Sequence, residues 1–366
     1  MDLGTFRSGR PTASRSASGQ ASDADPDAPS DMPSSRTPLS RQYWTVAPGR
    51  GEIRRAPVPE PGPGEVLVET LLSGVSRGTE TLIHRGEVPE TMASRMRAPL
   101  QLGDLPHPVS HGYLAVGVVR AGVGPEAEQL IGRTVFCLGG HRDHLVVPAA
   151  DCHPLPEDCP ADRALLAGIA EPALNAIWEA PATLGDRLCI VGAGLVGLTT
   201  ALLASSLGPE RLQVIDVDGD RRGLARRLGL EATTPEEAVG DVDVVFHASA
   251  TEDGLAAALR LAGDDAVVVE QSWFGRTAPV VPLGADFHAR RLRLLASQVG
   301  EVAPPRRARR SRRQRLSLAL GMLDARCDAL LTGRSPLEEL PTVMDALGAG
   351  DPAWASTLCH VIDHMR

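Results

Sequence analysis

Two spacings of hydrophobic positions divide the chain. From Tyr43 to about Pro154 the apolar residues come in short runs broken by turns. Pro57, Pro59, Pro61 and Pro63 lead into the alternating stretch Gly64-Glu65-Val66-Leu67-Val68-Glu69. Ala115–Val119, Thr134–Leu138 and His144–Pro148 continue the set, which predicts a small β-rich domain. Residues 162–180 carry a helical period that starts after Pro160 and stops near Pro181. Beyond it strand and helix patterns alternate. Strands are predicted over Leu188–Val191, Leu212–Asp216, Val242–Phe246, Ala266–Glu270 and Leu292–Ala296; helices over Leu195–Leu207, Arg221–Leu228 and Gly254–Ala262. Such alternation means βαβ units and a parallel sheet. Residues 311–323 and 336–347 read as closing helices. The first forty residues are Ser, Pro, Asp, Arg and Ala with almost nothing to bury, so 1–40 are expected to be a disordered extension.

One junction in the alternating part carries chemistry. Arg187–Val191 runs into Gly192-Ala193-Gly194-Leu195-Val196-Gly197 and then into a helix. In that context the three glycines have separate uses: a tight turn at Gly192, backbone approach to a diphosphate at Gly194, and close helix–sheet packing at Gly197. The helix start offers free N–H groups to the phosphates. An acid, Asp216, ends the next strand, 24 residues after Gly192. A carboxylate there accepts from ribose hydroxyls and repels a 2′-phosphate, which favours NAD over NADP, although Arg221 and Arg222 lie just beyond and oppose that preference. Ser249 and Ser272 fall at the carboxyl ends of later strands, the edge that faces a ligand crevice. With Leu195, Val196 and Arg221 they complete the expected cofactor contacts.

Composition then narrows the chemistry. At 366 residues there is chain for two domains. A net charge of −9 argues against nucleic acid or an anionic membrane surface as partner, and no apolar run reaches the roughly 18 residues of a membrane span. All 37 basic residues are arginine. Schiff-base chemistry and a P-loop are thereby excluded, as is the Tyr-x-x-x-Lys pair of short-chain dehydrogenases. Six scattered cysteines without a CxxC pair fit a reduced, cytoplasmic protein better than a disulfide framework.

The order of parts, β-rich region, nucleotide fold and short return, resembles the medium-chain (zinc-type alcohol) dehydrogenase family over residues 41–366. Pro61–Val68 looks like that family's opening strand, and Gly132-Arg133-Thr134-Val135 like its Gly-Asp-Arg-Val turn. Val146-Val147-Pro148-Ala149 and Pro154-Leu155-Pro156 match the run before its nucleotide domain. The resemblance implies an α/β protein: a GroES-like catalytic domain over 41–175, a Rossmann doubly wound parallel sheet over 176–298, and a return of 299–366 to the catalytic domain. Ser73–Glu80 and Gly112-Tyr113 with Gly117-Val118-Val119 resemble one subgroup more closely, that of the bacteriochlorophyllide hydroxyethyl dehydrogenases, which oxidise a secondary alcohol to a ketone.

The departures fall on the metal. Where zinc-dependent members have Gly-Ile-Cys-Gly-Thr-Asp, this chain has Gly74-Val75-Ser76-Arg77-Gly78-Thr79-Glu80. Gly112-Tyr113 replaces Gly-His, with His111 two positions early, and Glu171-Pro172 stands in the third region. The four-cysteine structural zinc loop has no counterpart. Catalytic zinc is therefore not expected, nor is a metal at the scattered Cys137, His141, His144, Cys152, His153 and Cys159. The implied function is hydride exchange between NAD(H) and a small secondary alcohol or ketone. Tyr113 would donate to the substrate oxygen, Ser76, Arg77 and Thr79 would line the pocket, and Glu171 or His111 would accept the proton. A zinc-free quinone or enoyl reductase and an inactive NAD-binding sensor or structural protein are the alternatives, and a homodimer is compatible with each. The run Arg306, Arg307, Arg309, Arg310, Arg312, Arg313 and Arg315 is expected to be a solvated face or to contact acidic neighbours, with a subunit contact or a grip on an acidic substrate as the other options.

Overall fold

The structure, a computed structural model, describes residues 38–284 and 286–366. The extension expected over 1–40 thus lies almost wholly outside the described residues. Its last two positions are ordered: Leu39 and Ser40 open the strand Leu39–Ala47, where Ser40 is buried and paired with Ala56 of the strand Arg50–Pro57. That hairpin buries the Tyr43 ring.

The alternating segment forms a six-stranded, all-parallel sheet. In spatial order its strands are Glu231–Thr233, Arg211–Ile215, Arg187–Val191, Val242–His247, Ala262–Glu270 and Arg293–Ala296. Numbered in sequence this is 3-2-1-4-5-6, the doubly wound order, and the direction of winding reverses between Arg187–Val191 and Val242–His247. Glu231–Thr233 escaped the sequence reading because three residues are too few to show a period. The helices between strands are Leu195–Ser205, Gly219–Arg227 and Glu252–Leu261.

The β-rich region builds a second sheet around the long strand Glu65–Ser76. Ala115–Gly122 and His144–Pro148 pair with it, and so does Cys359–Asp363, which brings the end of the chain back beside Ser76. The strand Leu331–Pro336 lies outside Cys359–Asp363. The helical stretch expected over 162–180 is two helices, Ala161–Ala164 and Ala167–Glu179. The second packs against Leu195–Ser205 through Ala170, Ala173, Leu198 and Ala201, so one apolar core runs between the two sheets and fixes the cleft they share. Gly168 is pressed against the Tyr113–Leu114 backbone; a Cβ there would lie 2.5 Å from Leu114 Cδ2. Among the described residues no helix is long and apolar enough to cross a membrane.

Candidate active site

The switch point of the parallel sheet opens on a cleft of about 1250 Å³ that also takes in the inner face of the β-rich part. Single-ligand pockets run to about 1,000 Å³, so there is room for a dinucleotide and a second molecule.

On the nucleotide side Gly192 has φ +106°, and a Cβ there would sit 2.8 Å from the Ser249 nitrogen. At Gly197 a Cβ would strike the Gly192 carbonyl at 1.8 Å, whereas Gly194 faces open space. Gly192 and Gly197 thus carry the backbone constraints of a tight turn and a close helix contact, and Gly194 leaves open space above the turn. Gly194 caps the helix Leu195–Ser205 without a side-chain bond, so its first N–H groups stay free for an anion. Leu195 and Val196 line the cleft beside them. Asp216, only 9% exposed, accepts from the Ala193 amide at 2.7 Å through Oδ2 and from the Asp218 amide at 2.8 Å through Oδ1. Each oxygen keeps a lone pair for a ribose hydroxyl.

Two guanidiniums meet at the mouth of this turn. Arg77 donates to the Ala355 carbonyl at 2.6 Å from one wall, and Arg221 donates to the same oxygen at 3.2 Å from the other. Burial, and then the neighbouring charges of Arg221 and Arg85, pull the Arg77 pKa down. An anion placed between them would relieve that crowding. At the strand ends, His247 Nδ1 lies 2.6 Å from Glu270 Oε2, and its Nε2 lies 2.7 Å from Ser249 Oγ. Ser272 donates its amide to Glu270 Oε1 at 2.7 Å and accepts from the Ala250 amide at 3.0 Å. Ser249 and Ser272 both line the cleft. The His247–Glu270 pair that holds them was not among the residues singled out as cofactor contacts.

Across the cleft the long strand ends at Ser76 and turns into the helix Arg77–His84. Tyr113 donates its hydroxyl to Ser76 Oγ at 2.6 Å. Burial pushes the Tyr113 pKa up to about 12, with the Glu80 charge adding to it and bonds to Ser76 and Thr79 opposing it. The His111 ring meets Tyr113 edge-on at 5.8 Å. It is 7% exposed, its Nδ1 has no partner, and burial holds its pKa down at about 4, against the pull of Glu80. Ser76, Arg77, Thr79, His111, Tyr113 and Glu171 all line the one cleft.

Glu171 is not alone there. Arg315 donates to Glu171 Oε1 from Nε at 3.0 Å and from Nη2 at 2.9 Å, and from Nη1 to Asn175 Oδ1 at 2.6 Å. It also holds the Glu301 and Val299 carbonyls. Arg315 is 1% exposed and takes the second course expected of the arginine run, contact with an acidic neighbour: it sits on the inner face of the helix Arg312–Gly321, while the other six arginines are exposed. Burial pushes the Glu171 pKa up and Arg315 pulls it back.

Behind Ser76 runs a buried polar chain that sequence reasoning missed. The Ser76 amide donates to Glu80 Oε1 at 2.8 Å, and Glu80 Oε2 lies 2.8 Å from His141 Nε2. His141 Nδ1 is 2.7 Å from Ser73 Oγ, and Ser73 Oγ is 2.9 Å from His364 Nε2. His364 Nδ1 then reaches Asp143 at 3.0 Å, which accepts from Arg41 Nε at 2.8 Å. Burial opposes ionisation of Glu80, yet His141 holds its pKa below the usual carboxylate value. Ser73, Glu80 and His141 were each named from the sequence, but nothing there joined them to one another or to His364, Asp143 and Arg41. The scattered Cys and His positions do not gather: all six cysteines are free and buried, and among the described residues no three or more His, Cys, Asp or Glu stand together as metal ligands.

The layout is that of a GroES-like domain joined to a Rossmann domain, with a cleft between them. No family model matches the sequence. The chain is 28% identical over 237 residues to an L-threonine 3-dehydrogenase of Ruegeria pomeroyi, a match covering 58% of this chain and 68% of that one. Another L-threonine 3-dehydrogenase is matched over only 57% of its length. Among solved structures, 2R,3R-butanediol dehydrogenase from Bacillus subtilis superposes with a TM-score of 0.71 at 16% identity, covering 89% of this chain and 99% of that one. Acetophenone reductase from Geotrichum candidum, solved in complex with NAD, gives 0.68 at 17% identity, covering 89% and 97%. The chain is thus similar in sequence to L-threonine 3-dehydrogenases and shares the fold of medium-chain dehydrogenases.

Proposed function

We propose that this protein is an NAD-linked dehydrogenase that interconverts a secondary alcohol and its ketone without a catalytic zinc. The observation that carries the proposal is the Tyr113–Ser76 hydrogen bond, 2.6 Å long, at the place where the family's first two metal ligands fall. The donor set there does not suit zinc. Ser76 offers a hydroxyl already accepting from Tyr113, and Glu171 is taken by a buried guanidinium whose positive charge would face a cation. His111 alone falls short of the three protein ligands of a catalytic site.

The chain's residues suit the dinucleotide. The turn Gly192–Gly197 with Arg77 and Arg221 would hold the diphosphate, Asp216 the adenosine ribose, and Ser249 and Ser272 the far ribose. Bound NAD(H) supplies the two-electron redox chemistry. The protein has to orient the substrate and manage one proton. Tyr113, with its pKa near 12, keeps its proton at neutral pH; on substrate binding that proton would turn from Ser76 Oγ to the substrate oxygen, at the position where a metal would otherwise polarise it, and the Ser76 hydroxyl would donate to the phenol oxygen in return. His111 stays neutral above about pH 4, which leaves it a lone pair to accept the proton an alcohol loses. Ser76 fixes the phenol, and Glu171, locked by Arg315, shapes the wall.

The test combines metal analysis with turnover. Purified protein is assayed with NAD⁺ and NADH over a panel including L-threonine, 2R,3R-butanediol and 1-phenylethanol, before and after chelation. Turnover unaffected by chelation, in protein lacking stoichiometric zinc, is the expected result. A tightly held zinc whose removal abolishes turnover overturns the metal-free mechanism.

A further inference from the structure

The cleft has a second set of positive groups that the cofactor does not use. Arg312 and Arg313 open the helix Arg312–Gly321, whose capping box is closed by Ser311 and Gln314. Both line the cleft and both are exposed. Among the described residues neither makes an ion pair or a hydrogen bond through its guanidinium, whereas Arg315, on the same helix, spends its whole fork on Glu171, Asn175 and two carbonyls. Their charges are felt locally: Arg313 acts on His153, and Arg312 acts on Glu171. The acids that share this end of the cleft are the exposed Asp151 and Glu301, besides Glu171, which Arg315 already neutralises. Lining a cavity without a hydrogen-bonded or ion-paired partner among the described residues, these two guanidiniums are available to a ligand there. They are also separate from the pair Arg77 and Arg221, which stands at the turn Gly192–Gly197 on the nucleotide side.

We propose that Arg312 and Arg313 form an anion-recognising subsite at the substrate end of the cleft, so that the alcohol or ketone this protein takes carries a carboxylate or phosphate group. This deepens the dehydrogenase reading and rests on it in taking the cleft as the substrate site. A guanidinium pair presents several N–H donors in fixed geometry, which suits a planar or tetrahedral oxyanion and gives a neutral substrate nothing in exchange for its lost hydration. The remote anion would supply orientation, holding the reacting carbon near Tyr113.

The experiment is calorimetric titration of the full chain, saturated with NADH, with benzoate, phenyl phosphate and the neutral isostere benzamide at low ionic strength. Either anion is expected to bind at least about ten-fold more tightly than benzamide, a difference of about 1.4 kcal/mol. The advantage should shrink as salt is raised, and the stronger of the two anions identifies the oxyacid. The double variant R312Q/R313Q, altered only at exposed positions, should lose the discrimination while its NADH affinity stays unchanged. Equal binding of benzoate, phenyl phosphate and benzamide, or discrimination that survives in R312Q/R313Q, overturns the proposal. Repeating the anion titrations without NADH separates the two readings. R77Q should abolish binding of an anion resting at the nucleotide turn, and only R312Q/R313Q should abolish binding at the subsite. Absence of NADH binding therefore defeats the cofactor reading while the subsite is still read directly.

Discussion

Arg315 and Glu171 form a buried ion pair, 2.9 Å between Nη2 and Oε1, in the wall of the cleft. With 1% of one side chain and 6% of the other exposed, neither charge has water to fall back on. Removing one partner of such a pair costs about 3–5 kcal/mol, because the survivor is left buried and uncompensated. R315A is expected to lose stability of that order in urea unfolding. The double variant R315M/E171L should recover most of it. If R315A unfolds at the wild-type urea concentration, the pair is not holding this wall.

Tyr113 makes the sharpest catalytic prediction. Y113F removes only the hydroxyl that donates to Ser76, so the fold and the nucleotide turn are untouched. Loss of a positioned proton donor costs about 10²–10⁴-fold in turnover. We expect kcat to fall within that range on the best alcohol of the panel while NADH affinity, read by fluorescence, does not change. Turnover equal to wild type would remove Tyr113 from the chemistry.

What could be read in advance follows chain distance. The turn Gly192–Gly197 and Asp216 were legible because their constraints are local: a left-handed φ at Gly192, a blocked Cβ at Gly197, and an acid ending the adjacent strand. The residues behind the catalytic side were not. Glu80 and His141 are 61 positions apart, Glu171 and Arg315 are 144 apart, and Ser73 and His364 are 291 apart. Nothing in a period or a motif couples such positions. The arginine run left solvation and contact with an acid both open, and nothing in it marked Arg315 as the buried one among six exposed arginines.

The inner end of the polar chain sets a pH dependence. Burial raises the cost of the Asp143 charge, but His364 and Arg41 more than offset it and hold its pKa well below the usual carboxylate value. Burial also pulls His364 below its ordinary value. Both shifts have the same sign in linkage: each group binds a proton more readily in the unfolded chain than in the fold. Their stabilising contribution is complete above the unfolded values, near 6.5 for His and 3.9 for Asp, and is lost as pH falls through the folded ones. Urea midpoints should therefore drop as pH falls below about 6, and more steeply below about 4. In D143N the steeper, lower segment should flatten. An unchanged acid limb in D143N would show that Asp143 is not the group responsible.

Asp216 is expected to discriminate between the two nicotinamide cofactors, and its charge can be removed while most of its shape is kept. The variant D216N keeps one oxygen to accept from the Ala193 amide, giving up the bond from the Asp218 amide, and it loses the negative charge that would oppose a 2′-phosphate. Two unit charges about 4 Å apart near a protein surface interact by about 4 kcal/mol, so removing the repulsion is felt even if most of it is screened. Arg221, 3.9 Å from that carboxylate, and Arg222, which donates to the Asp216 carbonyl at 2.8 Å, are then left to face the phosphate. We expect the wild type to bind NADH more tightly than NADPH, and the ratio of the two affinities to fall at least about ten-fold in D216N, a shift of about 1.4 kcal/mol read by fluorescence titration. A wild type that prefers NADPH, or a ratio that does not move in the variant, would mean that Asp216 braces the turn through Ala193 and takes no part in choosing the cofactor.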